Sequence, residues 1–298
     1  MARTTEQRLL QKHALTPKEL ADLEHLTAIC NTYESLLMRL DHNMLKLPLL
    51  PTNDFFLLYR DEQLIGCLLL DRYHSDVKEV MIAVHPDFRR QGIARRLLAV
   101  AREECLSRGI RRMLFVCETL SKSGQAFIRS MKAGREFAEH FMLLQDFQPH
   151  GQFDDHLLFR EALFDDLDAL ATILAADFND SKERAKQHVR RSWERPAQQF
   201  YIATYGEEDV GCAEPVGTLR VEETPDNFAI YGFFVRPEYR GRGHGRQMLE
   251  EIILTLRARH TWPIALDVDS NNFTALNLYL SCGFAIDRTY EYYAFALE

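Results

Sequence analysis

Apolar positions along the chain recur with a period of two in some stretches and with a helical period in others, which predicts alternating strands and helices. Thr16, Pro17 and Glu19 supply an N-cap, a first-position proline and a first-turn acid, so a helix is expected to begin there. The polar residues 1–16 before it are expected to form a loose lead-in. The patterns that follow predict strands at 55–59, 64–70, 77–84, 112–117 and 136–144, and helices at 92–108 and 122–132.

A segment from Phe147 to Asp155 breaks every period and contains Pro149 and Gly151, so it is predicted to be a linker. Beyond it the same order of elements returns. The patterns there predict helices at 165–178, 181–194, 243–259 and 272–281, and strands at 200–205, 215–222, 227–235, 264–268 and 285–297.

The two halves of the chain are copies of one pattern. Residues 84–94 share valine, proline, arginine and glycine positions with residues 235–245, at a constant offset of 151. A repeat of this length sets the domain count before any other argument. We therefore predict two domains, 1–148 and 155–298, which agrees with the length of 298 residues.

In both copies this run joins a strand to a helix and is rich in glycine and arginine. Glycine lets the backbone approach a ligand closely, and a helix start offers unpaired amide N–H groups. The run therefore favours a pyrophosphate or another multiply charged anion, although a glycine-rich turn with solvated arginines would share the pattern. It is not the dinucleotide fingerprint, which would need glycine at Arg246, and no Gly-Lys-Ser/Thr follows as in a phosphate loop of nucleotidases.

A second motif lies downstream, beginning at Asn272 and ending at Gly283-Phe284. Within it, Leu278 and Tyr279 share a helix face with the residue at position 275, and Gly283 is expected to stop the helix. Tyr279 has a polar end on an otherwise apolar face, which suits either a catalytic hydroxyl or a core tyrosine.

The two motifs together, Val-x-Pro-x-x-Arg-x-x-Gly-x-Gly and then Asn-x-x-Ala-x-x-Leu-Tyr-x-x-x-Gly-Phe, resemble the GNAT acetyltransferases. The resemblance covers about 160–298 well and about 17–145 less completely, so the chain resembles a tandem GNAT protein. It implies an α/β fold of two tandem domains, each with a central mixed, mostly antiparallel sheet flanked by helices. It also implies an acyltransferase that moves acetyl directly from acetyl-CoA to a primary amine.

The resemblance further implies roles for individual residues. Backbone around Phe233–Val235 would bind pantetheine and polarise the thioester carbonyl, and Tyr279 would protonate the departing thiolate. The strand Ala229–Val235 lacks the glutamate base that family members often carry. Glu222 and Glu223 are the candidate substitutes, with exposed turn carboxylates as the alternative interpretation. The expected cofactor-binding residues are Phe233, Phe234, Val235, Arg240, Gly241, Arg242, Gly243, His244, Gly245, Arg246 and Asn272, and in the first copy Val84, Arg89, Arg90, Gln91, Gly92, Ile93, Ala94 and Arg95.

The offset also compares the two copies position by position. Tyr279 falls on Ile128, which cannot donate a proton, whereas Ile230 falls on Glu79, on the strand where family members often carry the base. The hypothesis is that the second copy catalyses and the first is degenerate. The competing class is a non-catalytic CoA-binding sensor or interaction protein.

Charge and cysteine content narrow the function further. The net charge of −8 argues against nucleic acid as a partner, and all of the excess acid lies in residues 151–298. That acidity serves either solubility or attraction of a cationic acceptor. Six cysteines without a Cys-x-x-Cys pair indicate reduced thiols in a cytoplasmic protein without a metal site. Neither a signal core nor a membrane-spanning apolar stretch is visible, so no membrane partner is expected.

The acceptor itself is not encoded in any pattern. A peptide N-terminus, a polyamine, an aminoglycoside or a small metabolite amine would each fit. The aromatic tail Tyr290–Phe295 could line a pocket, although packed strand residues of this kind more often belong to the core.

Overall fold

A computed structural model describes residues 6–38, 40, 51–72, 76–151, 153–178, 181–194, 197–206, 214–224 and 227–297, with the side chains of 176–178 left out. Apart from two additional strands, at Gln7–Lys12 and Leu157–Glu161, the helices and strands follow one another in the order expected from the sequence. In chain order they are β1 (Gln7–Lys12), α1 (Pro17–Glu34), β2 (Phe55–Arg60), β3 (Gln63–Leu70), β4 (Val77–Val84), α2 (Ile93–Ser107), β5 (Arg112–Glu118), α3 (Lys122–Met131), β6 (Gly134–Leu144), β7 (Leu157–Glu161), α4 (Leu167–Phe178), α5 (Lys182–Trp193), β8 (Gln198–Tyr205), β9 (Glu214–Glu223), β10 (Phe228–Val235), α6 (His244–Arg259), β11 (Ile264–Asp269), α7 (Phe273–Ser281) and β12 (Phe284–Ala296).

The predicted start of helix α1 is confirmed in detail. The Thr16 hydroxyl accepts a hydrogen bond from the backbone N–H of Glu19, and the Glu19 carboxylate accepts from the N–H of Thr16 in return. This reciprocal capping box satisfies two amides that a helix start otherwise leaves unpaired. Leu23 and Leu26 then lie on the buried face, which orients the helix against the sheet.

One expectation about the N-terminus is wrong. Residues 7–12 are not a loose lead-in but strand β1, which pairs antiparallel with β2. The sequence of β1 can be largely polar because the strand lies at the edge of a sheet. Backbone hydrogen bonds hold it there, so it does not need a fully apolar face. Leu9 packs against one core cluster and Leu10 against the other, so the strand contributes one apolar side chain to each face.

The chain divides into two compact units, and unit 1 comprises residues 1–138 and 288–298. Its strands follow the order β1-β2-β3-β4-β5-β12, antiparallel except for the parallel pair β4–β5. Helix α1 covers one face, packed on Phe55 and Leu57. Helices α2 and α3 cover the other face, packed on Phe56 and Leu58.

Unit 2 comprises residues 139–287 and repeats this plan. Its strands follow the order β7-β8-β9-β10-β11-β6, with β10–β11 as the parallel pair. Helices α4 and α5 pack on Phe200 and Ile202, and helices α6 and α7 pack on Val221 and Ile230 from the other face. The expected mixed, mostly antiparallel sheet flanked by helices is therefore confirmed.

The last strand of each repeat completes the other unit. Residues 139–143 of β6 pair with β11 in unit 2, and residues 290–296 of β12 pair with β5 in unit 1. The sequence predicts a single boundary in the linker at 147–155, where the described residues form no helix or strand. The boundaries of the compact units differ from this predicted boundary. Sheet hydrogen bonds assign most of β6 to unit 2 and most of β12 to unit 1, although each strand belongs to the other repeat along the chain.

Among the described residues, none of the helices has the length and hydropathy required to cross a membrane. The same part of the chain contains no group of three or more His, Cys, Asp or Glu side chains placed to hold a metal ion. Its five cysteines are buried free thiols, while Cys212 lies outside the described residues.

Candidate active site

The parallel strands β4 and β5 of unit 1 separate along their length. They pair from Val77–Val80 against Arg112–Phe115 and then diverge. A cavity of about 900 Å³ opens at this divergence, lined by residues 81–84 of β4 and 116–118 of β5. That volume lies in the range of small-molecule and cofactor pockets.

The cavity extends through the sheet, because it is lined by residues from both faces. Successive strand residues point to opposite faces. Val80 and Phe115 belong to the core under α2 and α3, whereas Met81 packs with the core under α1, and all three line the cavity. A long, narrow ligand could therefore thread between β4 and β5.

The predicted anion-binding run of the first copy lies at one end of this cavity, between β4 and α2. Gly92 has φ +80° and Arg90 has φ +64°, so the loop turns sharply before α2 begins at Ile93. Gln91, Gly92 and the guanidinium-bearing Arg90 are exposed, while Ile93 is buried. The remaining predicted residues Val84, Arg89, Ala94 and Arg95 also border the cavity.

Arg89 has a positioning role in the loop. Its Nε donates to the carbonyl oxygen of Val84 at 3.1 Å, its Nη1 lies 3.3 Å from a Glu34 carboxylate oxygen, and its guanidinium stacks over Tyr33 at 5.0 Å. Arg240 repeats the first contact, because its Nε donates to the carbonyl oxygen of Val235 at 2.7 Å. The arginine common to both motifs therefore ties the loop to the end of its strand.

Glu34 is a residue that sequence analysis missed. It ends α1, yet its carboxylate accepts hydrogen bonds from Ser123, from the backbone N–H at 3.1 Å and from the hydroxyl at 2.7 Å. Together with the Arg89 contact, Glu34 joins α1, the loop and the start of α3 around the cavity. No sequence motif marks this residue, because its partners are more than fifty positions away.

Carboxylates and tyrosines gather on the α1 side of the cavity. Glu79 lines it from β4 and Glu118 from the end of β5, with Tyr290 and Tyr292 of β12 beside them. Glu118 is 6% exposed, and one of its oxygens accepts the N–H of Leu37 at 2.7 Å. The tail tyrosines could not be placed here from sequence, since they belong to the second repeat and reach unit 1 through strand pairing.

In unit 2, Tyr279 is buried at 6% exposure, with Phe233 and Phe284 both at ring-centroid distances of 6.1 Å. Burial raises the pKa of its hydroxyl above that of an ordinary tyrosine, because the charged phenolate would lose its hydration there. The nearby strand β10 has a register shift between Tyr231 and Phe234, with Gly232 at φ +56°. This bulge changes the direction in which the backbone groups of the predicted residues Phe233, Phe234 and Val235 point.

The two candidate bases of unit 2 do not approach Tyr279. Glu222 is buried and accepts a hydrogen bond from the Gln198 side chain at 2.8 Å, and Glu223 is exposed at the strand end. Val221 packs in the same cluster as Tyr279, so its neighbour Glu222 points to the opposite face of the sheet. The arrangement does not bring the candidate acid and base of unit 2 together.

The second anion-binding run differs from the first in its side chains. Gly241 and Gly243 have φ of +76° and +88°, and Arg242 is exposed. His244 is buried with its Nε2 3.8 Å from an Asp154 oxygen, and burial lowers the pKa of its imidazole. A Cβ added at the predicted residue Gly245 would lie 3.4 Å from Leu278. Arg246 donates a hydrogen bond to the Ser281 hydroxyl at 2.6 Å, and Asn272 caps α7.

A profile described as the acetyltransferase (GNAT) family matches residues 20–131 and 167–284. The chain belongs to the GNAT acetyltransferase family. It is a tandem GNAT protein and an acyltransferase, with one family match in each repeat. A search of curated proteins found no significant match.

Solved GNAT structures share the whole fold. A GCN5-related N-acetyltransferase from Sphaerobacter thermophilus is 19% identical, with 99% of this chain and 98% of that one covered and a TM-score of 0.80. A tandem GNAT protein from the clavulanic acid biosynthesis pathway is 15% identical, with coverage of 98% and 99% and a TM-score of 0.72. A fungal β-N-acetylglucosaminidase with a GCN5-related glucosamine N-acetyltransferase region is 15% identical, with coverage of 99% and 38% and a TM-score of 0.73.

Proposed function

We propose that this chain is an acetyl-CoA-dependent N-acetyltransferase that binds acetyl-CoA in the cleft of unit 1 and transfers acetyl directly to a primary amine. The observation that carries the proposal is the cavity through the β4–β5 divergence, with the glycine–arginine loop at one end and Glu79 near the point where the two strands separate. The loop amides at the start of α2 suit a pyrophosphate. The diverging strand ends leave room for a pantetheine arm between them.

In this cleft Glu79 is the proposed base. It lies on β4, and its backbone N–H donates to the Asp71 carboxylate at 2.7 Å, which fixes the strand at that point. An alkyl ammonium titrates near 10.4, so the acceptor must lose a proton before its nitrogen attacks the thioester carbon. A carboxylate beside the acceptor takes that proton, the new C–N bond forms, and the C–S bond breaks.

The first copy has Ile128 where the second has Tyr279, so it lacks that proton donor. A thiol titrates near 8.5, which makes its thiolate a tolerable leaving group in water. Loss of the tyrosine therefore does not exclude transfer in unit 1, because solvent entering the cleft can protonate the departing sulfur.

A second assignment places the chemistry in unit 2, as the sequence motifs suggest, with Tyr279 as the acid. It is favoured by the position of the buried Tyr279 hydroxyl beside Phe233 at the β10 bulge. In that case Glu222 or Glu223 would have to act from the other face or the end of the sheet, directly or through water.

Amine-dependent release of CoA thiol separates these assignments. Glu79→Gln should lower kcat/KM by about 10²-fold or more, the usual loss for a general base, whereas Tyr279→Phe should stay within about twofold of wild type. Glu103→Gln, the same chemical change at an exposed carboxylate of α2, is the matched control. The opposite pattern would move the chemistry to unit 2, and acetyl-CoA binding without turnover of any amine would favour a CoA-binding sensor.

We also propose a reducing, cytoplasmic location. The proposal is supported by the five buried free thiols among the described residues.

A further inference from the structure

Glu118 stands out among the carboxylates of the unit 1 cavity. Its side chain is buried, with an exposed fraction of 6%, and it lines the cavity at the end of β5. One carboxylate oxygen accepts the Leu37 N–H, but the other, Oε1, accepts no hydrogen bond from the described residues. Its nearest cation is Arg288 Nη1 at 3.6 Å, beyond hydrogen-bonding distance. The ion pair with Arg288 offsets part of the cost of burying this charge, and a ligand that donates to Oε1 would supply the hydrogen bond that is missing among the described residues.

The strand register gives the distance along the sheet between Glu118 and Glu79. Leu114 pairs with Glu79 across the parallel strands, so Glu118 lies four residues further along β5, about 13 Å at the usual strand rise. Residues 114, 116 and 118 share one face, and 79 and 81 share the same face on β4, toward α1. The two carboxylates are therefore on one side of the sheet, separated by the length of an extended chain of several methylenes.

The walls between them suit an aliphatic cation. Leu69 and Met81 provide apolar surface, and Tyr290 and Tyr292 provide aromatic rings. The Tyr290 hydroxyl donates to the Leu37 carbonyl at 2.6 Å, and the Tyr292 ring stacks on Phe137 at 4.2 Å, so both rings are fixed in place. Fixed aromatic rings beside carboxylates favour ammonium groups over neutral or anionic ones.

We propose that the acceptor is a linear amine with at least two positive charges, whose far ammonium binds Glu118 while its near amine faces Glu79. This inference rests on the proposed function of the same cleft. A single ammonium held by a carboxylate would keep its proton and could not attack. A dication resolves this conflict, because the far charge supplies binding energy and the near amine is free to lose its proton to Glu79.

The test compares acetylation of 1,4-diaminobutane and of n-butylamine by the full chain. We expect kcat/KM at least tenfold higher for the diamine, with a preference that falls as salt is added. Glu118→Gln should reduce the diamine-to-monoamine preference at least tenfold, chiefly through KM for the diamine. Glu103→Gln, at an exposed position of α2, should leave the preference unchanged.

Arg288→Gln tests the same site with Glu118 still in place, through its effect on the preference for the diamine. It takes away the cation 3.6 Å from Glu118 Oε1, so the preference for the diamine should rise. Equal kcat/KM for the two amines in the wild type, or a preference unmoved by both substitutions, would overturn the inference and leave the proposed function standing. Absence of turnover with every amine, together with absence of acetyl-CoA binding, would overturn both.

Discussion

At the scale of single residues, backbone conformation separates two loops that look alike in sequence. Arg90 and Gly241 occupy the same place in the repeat and have nearly the same dihedral, φ +64° and +76°. Glycine adopts this conformation freely, whereas a side chain with a Cβ is strained there. The first copy therefore stores strain at Arg90 in the loop proposed to bind the pyrophosphate, which is where such strain is commonly found.

Arg90→Gly should raise the free energy of unfolding by about 1 kcal/mol, because it removes the positive-φ strain. Arg90→Ala is the control, since it removes the charge but keeps the Cβ. Urea denaturation of the two variants and the wild type measures the difference. Equal stability of Arg90→Gly and Arg90→Ala would show that the backbone of this loop is not strained.

A second residue, Asp166, gives a pH-dependent prediction. Its carboxylate accepts two hydrogen bonds from the Arg160 guanidinium, at 2.7 and 3.0 Å, and one from the N–H of Leu163 at 2.7 Å. The hydrogen bond from Arg160 lowers the pKa of Asp166 below its ordinary value. The stabilisation is therefore present above about pH 4 and is lost as the pH falls and the carboxylate becomes protonated.

Asp166→Asn should lower the free energy of unfolding by about 1–3 kcal/mol at pH 7, and the gap to wild type should narrow toward pH 2. Urea titrations at both pH values measure it. Asp165→Asn, at the adjacent exposed position, is the matched control. A gap independent of pH would mean that the ion pair with Arg160 contributes nothing.

At the scale of elements, a glycine on the sheet beneath the loop-bearing helix recurs in both copies. Gly66 on β3 and Gly217 on β9 are separated by the repeat offset of 151. A Cβ at Gly66 would lie 2.6 Å from the Ile93 γ-methyl of α2, and a Cβ at Gly217 would lie 2.9 Å from the Met248 side chain of α6. Each glycine therefore lets the helix after the glycine–arginine loop lie close to its sheet, and in unit 1 the contact is with Ile93, the first residue of that helix.

Gly66→Ala and Gly217→Ala should each lower the free energy of unfolding by about 1–3 kcal/mol through overpacking. Only Gly66→Ala should also weaken acetyl-CoA binding, by about tenfold or more, because it displaces Ile93 and the loop before it. Calorimetric titration with acetyl-CoA measures this. Weaker binding in Gly217→Ala alone would assign the cofactor to unit 2.

Sequence patterns predicted the elements with a buried face well. The structure confirms the cap of α1 at Thr16, the end of helix α7 before Gly283 and every strand that was predicted. Strands β1 and β7 were not predicted, because edge strands take their stability from backbone pairing and need no apolar alternation. Periodicity could not reveal which face of β9 Glu222 occupies relative to Tyr279, since that depends on the register with neighbouring strands.

At the scale of the whole molecule, the sequence repeat and the compact units do not coincide. Motifs recur with the offset of 151, yet β12 pairs with β5 and β6 pairs with β11. This exchange brings Tyr290, Tyr292 and Arg288 to the cavity side of unit 1, although they belong to the second repeat. Comparison of the two copies along the chain alone therefore underestimates the chemistry available to the first.

The exchange predicts that neither half is a stable protein. A fragment of residues 1–151 lacks the strand that pairs with β5, and a fragment of 152–298 lacks the strand that pairs with β11. Each should show no cooperative thermal transition by circular dichroism, and mixing or co-expressing the two should restore it. A cooperative transition for residues 1–151 alone would contradict the exchanged arrangement.

Acetyl-CoA is proposed to bind in unit 1 between β4 and β5. A crystal structure of the full chain with acetyl-CoA bound would show the position of the cofactor. We expect electron density for the pantetheine arm between β4 and β5, beyond their last paired residues Val80 and Phe115, with the pyrophosphate at residues 90–94. Density confined to the gap between β10 and β11, with the unit 1 cavity empty at saturating acetyl-CoA, would contradict it.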